Sequence, residues 1–181
     1  MALKSTIFKA ELNITDLDRN YYGAHALTIA RHPSETDERM MVRLLAFILQ
    51  ASDSLVFGKG LSADDEPDLW QKDLTGAIQL WIDVGLPDEK RVRRACGRSD
   101  RVTVVTYGGR VADMWWQQNQ SALKQQTKLT VINLAPESTQ ALAATAQRNM
   151  QIQCTRQDGD LWLTLDDSSL HIVPEMLHPS H

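Results

Sequence analysis

Two largely apolar stretches, RVTVVTYG at 101–108 and LTVINL at 129–134, limit the folds open to this chain. Neither alternates apolar with polar residues as a half-exposed strand does, so both predict central strands covered on both faces. Segments with helical character lie at 87–97, at 110–126 and from residue 136 onward. Strands that alternate with helices indicate a sheet that is at least partly parallel.

The stretch AIQLWIDVG at 77–85 predicts the strand before these two. Ile78, Leu80, Ile82 and Val84 are predicted to face one way and Gln79, Trp81 and Asp83 the other, with Gly85 two residues after Asp83. Pro87 is predicted to take the first position of the next helix, since its fixed φ suits a helix start and its missing N–H is not needed there.

The two ends of the chain carry hairpin patterns. Residues 5–15 and 21–31 predict an N-terminal β-hairpin, and an Asp-Gly turn at 158–159 predicts a C-terminal one. Between them, HPSETDE predicts a helix start with Ser34 as N-cap, followed by one apolar helical stripe that continues to about residue 52. Glu38 shares a side of that helix with the buried stripe.

The predicted fold is therefore mixed α/β, with a central sheet, flanking helices and β-hairpin extensions at both ends. A length of 181 residues fits one domain, 1–181, with its core at about 34–148.

Composition favours an ordinary globular protein, with 43% apolar and 23% charged residues. No apolar run reaches the roughly 18 residues of a membrane span, and the start, MALKSTIFKAELN, lacks the apolar region of a signal peptide. We therefore expect a cytoplasmic protein with no membrane partner. Cys96 and Cys154 form no metal-binding spacing and predict buried thiols.

Charge is separated along the chain although the net charge is only −4. Four acids fall within residues 64–68. A basic run follows at 90–101, where Asp100 is the only acid among Lys90, Arg91, Arg93, Arg94, Arg98 and Arg101. Such a run is typical either of a solvated helix face or of a surface that contacts phosphates.

Three carboxylates form the one candidate site for chemistry. Asp68 begins a predicted strand, Asp83 ends the next, and Glu38 lies on the first predicted helix. Carboxylate oxygens from these elements would hold Mg²⁺ or Mn²⁺, which activates water and offsets charge on a phosphate. The alternative is structural: Asp68 caps a turn, Asp83 accepts backbone N–H groups near the helix start, and Glu38 pairs with a neighbouring arginine.

The order helix, strand, strand with Pro67-Asp68, strand with Asp83, helix, strand resembles the PD-(D/E)xK nuclease superfamily. The resemblance assigns Asp68 and Asp83 to the motif carboxylates and Glu38 to the acid on the first core helix. Gly85 stands where the motif has lysine. Lys90 is the candidate replacement, with Arg91 and Arg94 behind it.

Longer blocks resemble the bacterial YaeQ family: the start MALKSTIFKAELNITDLDRN, and the blocks LTIARHPSETDERMMVRLLAF, ADDEP, GLPDEKRVRRAC and WWQQNQS. That family is regarded as a variant of the PD-(D/E)xK fold, so the resemblance implies a restriction-endonuclease-like core.

Two functions follow as hypotheses. The first is a metal-dependent nuclease that cleaves DNA or RNA, with Asp68, Asp83 and Glu38 as metal ligands and Lys90 as the catalytic cation. In it, Lys90, Arg91, Arg94 and Arg98 contact the phosphate backbone. The second is a non-catalytic module that binds nucleic acid or a protein partner, which Gly85 favours.

Overall fold

The fold is seen in a computed structural model that describes residues 4–59 and 65–179. The chain groups into two compact units, one of Met1–Ser52 with Glu137–Pro174 and the other of Asp53–Pro136 with Glu175–His181. Each unit contains one mixed sheet. The predicted mixed α/β class is therefore confirmed, whereas the prediction of one domain with its core at 34–148 stays a prediction. None of the described helices is both long and apolar enough to cross a membrane.

The first unit contains a five-stranded sheet in the order β10-β9-β8-β1-β2, in which β1 and β8 are parallel and the other pairs antiparallel. Both hairpin predictions are confirmed, and the two hairpins meet in this sheet through the parallel pair of β1 and β8. The strands are β1 (Thr6–Asp16), β2 (Tyr21–Arg31), β8 (Asn149–Gln157), β9 (Asp160–Leu165) and β10 (Ser168–Ile172).

Helix α1 (Asp37–Gln50) belongs to the first unit and is more deeply buried than its pattern predicted. Ten consecutive residues, Met40–Leu49, are buried, so the helix has no exposed stripe along this stretch. The burial includes Arg43, which is 3% exposed. Helix α4 (Pro136–Ala144) buries Thr139 and Leu142.

The predicted N-cap Ser34 is wrong: α1 is capped by Thr36, whose Oγ1 accepts the N–H of Arg39 at 3.1 Å. Ser34 is held instead in a tight turn, where its N–H donates to Nδ1 of His32 at 3.1 Å. This turn places Glu35 ahead of the helix, and its carboxylate accepts two hydrogen bonds from Arg43, at 2.6 and 2.9 Å.

The second unit contains a six-stranded sheet in the order β11-β7-β6-β5-β4-β3. Strands β5, β6 and β7 are parallel, as the apolar stretches predicted, and the outer pairs are antiparallel. The strands are β3 (Leu55–Phe57), β4 (Leu69–Lys72), β5 (Ile78–Val84), β6 (Ser99–Thr106), β7 (Leu129–Asn133) and β11 (Glu175–His178). The basic run lies mostly in α2 (Glu89–Arg98), and α3 (Arg110–Leu123) follows β6.

Helix α2 starts two residues later than predicted, because Asp88 and not Pro87 determines its beginning. Asp88 has an extended backbone, and its Oδ1 accepts the N–H of Arg91 at 2.7 Å. The buried face of α2 consists of Val92, Ala95 and Cys96, which share one apolar cluster with Trp81 of β5.

The cysteines are both buried and both free, as predicted. Burial raises the pKa of Cys154 to about 12, and the nearby Asp16 carboxylate acts in the same direction. Burial also raises the pKa of Cys96.

We predict that stability falls above pH 9 in a way that depends on Cys154. Between about pH 8.5 and 12 the unfolded chain loses the thiol proton while the folded chain keeps it, so unfolding is favoured as pH rises. Urea titrations at pH 8 and 10.5 should show a larger loss for the wild type than for Cys154→Val. Equal losses in the two proteins would contradict this prediction.

Candidate functional site

The two motif carboxylates belong to the second unit and lie beside the residue pair that ends the contact between β4 and β5. Leu69 of β4 pairs with Ile82 of β5, and Asp68 immediately precedes Leu69 while Asp83 immediately follows Ile82. Both carboxylates are at least nine-tenths buried. A buried carboxylate needs a compensating cation or hydrogen-bond donor, so the structure must supply one for each of them.

Arg91 supplies that compensation for Asp83. Its Nε donates to Oδ2 at 2.8 Å and its Nη2 donates to Oδ1 at 3.1 Å, a two-pronged ion pair. Nη2 also donates to the carbonyl of Glu66 at 3.0 Å. The guanidinium lies 5.7 Å from the centre of the Trp81 ring. Both oxygens of Asp83 are therefore engaged by one cation from α2.

Asp68 is engaged with the backbone. Its Oδ2 accepts the N–H of Val84 at 2.7 Å, which fastens the end of β5 to the start of β4. This contact corresponds to the structural alternative, although the accepting residue is Asp68 and not Asp83. The carboxylate stabilises the strand end just before the chain turns at Gly85.

Gly85 has a backbone conformation that a lysine adopts poorly. Its φ is +109°, outside the range of ordinary L-residues, and its N–H donates to the carbonyl of Val105 at 2.9 Å. No described atom lies within 4 Å of where a Cβ would stand, so the obstacle is the backbone and not a lack of space. The positive φ at position 85 therefore explains why glycine, and not the lysine of the motif, stands there.

The proposed replacement, Lys90, is exposed on α2, and the cation that contacts Asp83 is its neighbour Arg91. Its assignment as the catalytic cation stays a prediction. Lys90, Arg94 and Arg98 recur every four residues and so lie on one side of the helix, and all three are exposed. Within the described residues, neither Lys90 nor Arg94 forms a salt bridge.

A shallow hollow lies between this helix and β5. Its lining consists of Asp65, Trp81, Arg91, Arg94, Ala95 and Arg98. Trp81 is 2% exposed, and its Nε1–H has no hydrogen-bond partner in the described chain. Arg98 lies 5.3 Å from the centre of the Trp81 ring, so the tryptophan supports two guanidinium groups.

The third predicted ligand, Glu38, belongs to the first unit. It is half-buried at the start of α1, where its Oε2 accepts the hydroxyl of Thr139 at 2.8 Å. Among the described residues, no group of three or more His, Cys, Asp or Glu side chains is arranged to hold a metal ion. The carboxylates present do not fit Mg²⁺ or Mn²⁺ while Arg91 engages both oxygens of Asp83.

Sequence reasoning missed the role of Glu35. Its carboxylate is 1% exposed and forms salt bridges with Arg43 at 2.6 Å and with Arg39 at 2.7 Å. Arg43 also donates to the carbonyl of Ala30, which ties α1 to β2. The signal was Arg43 itself, because an arginine inside an apolar helical run needs a buried partner.

Comparison with known proteins decides the family. The family model described as "YaeQ protein" matches residues 1–174. The chain belongs to the YaeQ family.

Relatives match over almost the whole chain. "Uncharacterized protein YaeQ" of Escherichia coli (strain K12) is 49% identical over 172 residues, which are 95% of each protein. The protein of the same name from Salmonella typhi is 48% identical over 172 residues, again 95% of each.

Two solved structures share this fold. The crystal structure of the YaeQ protein from Xanthomonas axonopodis pv. citri has a TM-score of 0.94 and 50% identity, over 96% of this chain and 98% of that one. The structure of the YaeQ protein from Pseudomonas syringae has a TM-score of 0.91 and 37% identity, over 97% of each chain. The mixed α/β architecture is therefore shared with both of these YaeQ structures.

We predict that Arg91→Leu lowers the free energy of unfolding by about 3–5 kcal/mol, because it leaves the buried Asp83 carboxylate without its partner. The double variant Asp83→Asn, Arg91→Leu should recover a large part of this loss, since the amide carries no charge. Urea denaturation of the three proteins measures both effects.

The control is Arg93→Leu, on the same helix. Arg93 forms an exposed pair with Glu89 at 3.2 Å, and such pairs contribute about 0–1 kcal/mol. An Arg91→Leu protein no less stable than the control would show that the ion pair has no structural role.

Proposed function

We propose that this protein binds nucleic acid without cleaving it, through the exposed face of α2 on a core of the PD-(D/E)xK type. The supporting observation is that the cations of α2 lie in different environments. Arg91 faces inward and forms an ion pair with Asp83, whereas Lys90 and Arg94 are exposed and form no salt bridge with a described residue.

The nuclease-like core is supported by the order of elements in the second unit. Strand β4 follows Pro67-Asp68, β5 contains Asp83, and α2 and β6 come next. Asp68 precedes Leu69 and Asp83 follows its partner Ile82, which agrees with the motif positions that the resemblance assigns. We infer that the core is of this type and that its acidic pair now serves stability.

The exposed cations suit a phosphate backbone. From Lys90 to Arg98, eight residues along α2 span about 12 Å at 1.5 Å per residue. One strand of duplex DNA presents a phosphate about every 3.4 Å along its axis, so three cations over this length lie opposite three or four phosphates. Arginine also binds phosphate oxygens in a two-pronged way, which favours this ligand over a neutral one.

A metal-dependent nuclease is the second candidate, and the two buried carboxylates Asp68 and Asp83 beside the Leu69–Ile82 pair favour it. It requires Arg91 to leave Asp83, because the guanidinium contacts both oxygens that a metal ion needs. Cleavage by this route therefore begins with a rearrangement of the ion pair that frees the Asp83 carboxylate.

We predict salt-dependent binding that is lost stepwise with the α2 cations. Fluorescence anisotropy of a labelled 20-base-pair duplex, and of RNA of the same sequence, measures affinity across salt concentrations. Each neutralised phosphate contributes about 0.9 to the slope of log affinity against log salt for duplex DNA. Lys90→Gln and Arg94→Gln should each reduce this slope by about that amount.

The matched control is Lys9→Gln, which removes one charge from an exposed position on β1 of the other unit. It should leave the slope unchanged. The proposal fails if the wild type binds neither polymer at low salt, or if the control weakens binding as much as the α2 variants.

A further inference from the structure

One sheet edge of the first unit differs from the other edges, and what it implies does not rest on the proposed function. Four strands of the described chain lie at sheet edges. Three of them are short: β3 has three residues, β11 has four with a register shift, and β10 has five. Strand β2 is the exception, with eleven residues in an unbroken register with β1.

Strand β2 also lacks the features that keep an edge from pairing. Proteins protect edges with lysine, proline, bulges or short strands, since the free N–H and C=O groups otherwise recruit another strand. The sequence of β2, YYGAHALTIAR, contains no lysine and no proline, and its one arginine is the last residue. Within the described chain, residues 22–29 have no hydrogen-bonded backbone partner other than β1.

The inward side of β2 is incompletely covered. Tyr21, Gly23, His25 and Leu27 are all half-buried, although they face the same way as Ile29, which is fully buried. On the neighbouring strand β1, the inward residues Phe8, Ala10, Leu12 and Ile14 are at most 5% exposed. Burial therefore declines from the centre of the sheet to this edge, as it does where a further strand is missing.

The side chains on the outer face of β2 leave room for a close neighbour. Four of the five positions are small, since Tyr22 is followed on this face by Ala24, Ala26, Thr28 and Ala30. Charge also permits self-pairing, because only Arg31, at one end, carries a permanent charge. In an antiparallel pair of two copies, Arg31 lies opposite Tyr21 and not opposite itself.

We propose that β2 pairs antiparallel with β2 of a second copy about a two-fold axis at Ala26, joining two five-stranded sheets into one of ten strands. Ala26 is the midpoint of the strand, so this register pairs all eleven residues. Ala24 lies opposite Thr28, Gly23 opposite Ile29, and His25 opposite Leu27. A two-fold pairing uses both free edges and closes the assembly at a dimer.

Sedimentation equilibrium of the full chain at 1–100 µM tests this proposal. The wild type should have twice the monomer mass of 20.4 kDa. Ala26→Lys should be monomeric, because it places two ammonium groups opposite each other at the axis. Gln153→Lys is the matched control: it adds the same charge to the exposed face of β8, which is paired on both sides, and it should remain dimeric.

Ala26→Cys provides a second test, in which the appearance of a covalent dimer is observed instead of the loss of a dimer. Cross-strand neighbours at a two-fold axis lie within disulfide distance, so mild oxidation should give a covalent dimer, whereas Gln153→Cys should not. The buried native thiols do not interfere. A monomeric wild type, an Ala26→Lys dimer, a Gln153→Lys monomer, or equal cross-linking of both cysteine variants would each overturn the proposal.

Discussion

The ion pair between Arg91 and Asp83 is the interaction on which the second unit depends. Asp83 is a buried carboxylate near the end of a central strand, and a buried charge needs a partner. The chain supplies that partner from α2, whose start is set by Asp88 so that Arg91 falls in its first turn. The same guanidinium holds the carbonyl of Glu66, which fixes the approach to β4.

This ion pair separates the two functional hypotheses in physical terms. A divalent ion and an arginine compete for the same two oxygens of Asp83. Because Arg91 contacts both oxygens, the charge of Asp83 is balanced by an arginine in this structure. The remaining cations of α2 lie on its exposed side, which is the arrangement that a helix needs to contact phosphates.

Much of the fold was predictable because it depends on local periodicity and turn chemistry. The parallel strands followed from apolar stretches without alternation, and the C-terminal hairpin followed from Asp158-Gly159, both of which have positive φ as a tight hairpin turn requires. The two helix starts were misplaced because several capping residues stood close together, and Ser34 and Pro87 were chosen over Thr36 and Asp88.

The candidate site was predictable only in part. Spacing along the chain indicated that Asp68 and Asp83 lie on neighbouring strands, but not that Arg91 would engage one and a backbone N–H the other. Which of Lys90, Arg91 and Arg94 reaches Asp83 depends on the rotation of α2 about its own axis. A shift of the helix start by two residues changes this rotation by about 200°. The Glu35–Arg43 pair was missed for the same reason, since Glu35 precedes the helix in which it was placed.

Mn²⁺ titration by calorimetry, on the wild type and on Asp83→Asn, shows whether Arg91 or a metal ion neutralises Asp83. If Arg91 has taken the place of the metal, neither protein shows a saturable site at millimolar Mn²⁺. A saturable site in the wild type that Asp83→Asn abolishes would contradict the account, because it would show that a metal ion displaces Arg91 from Asp83.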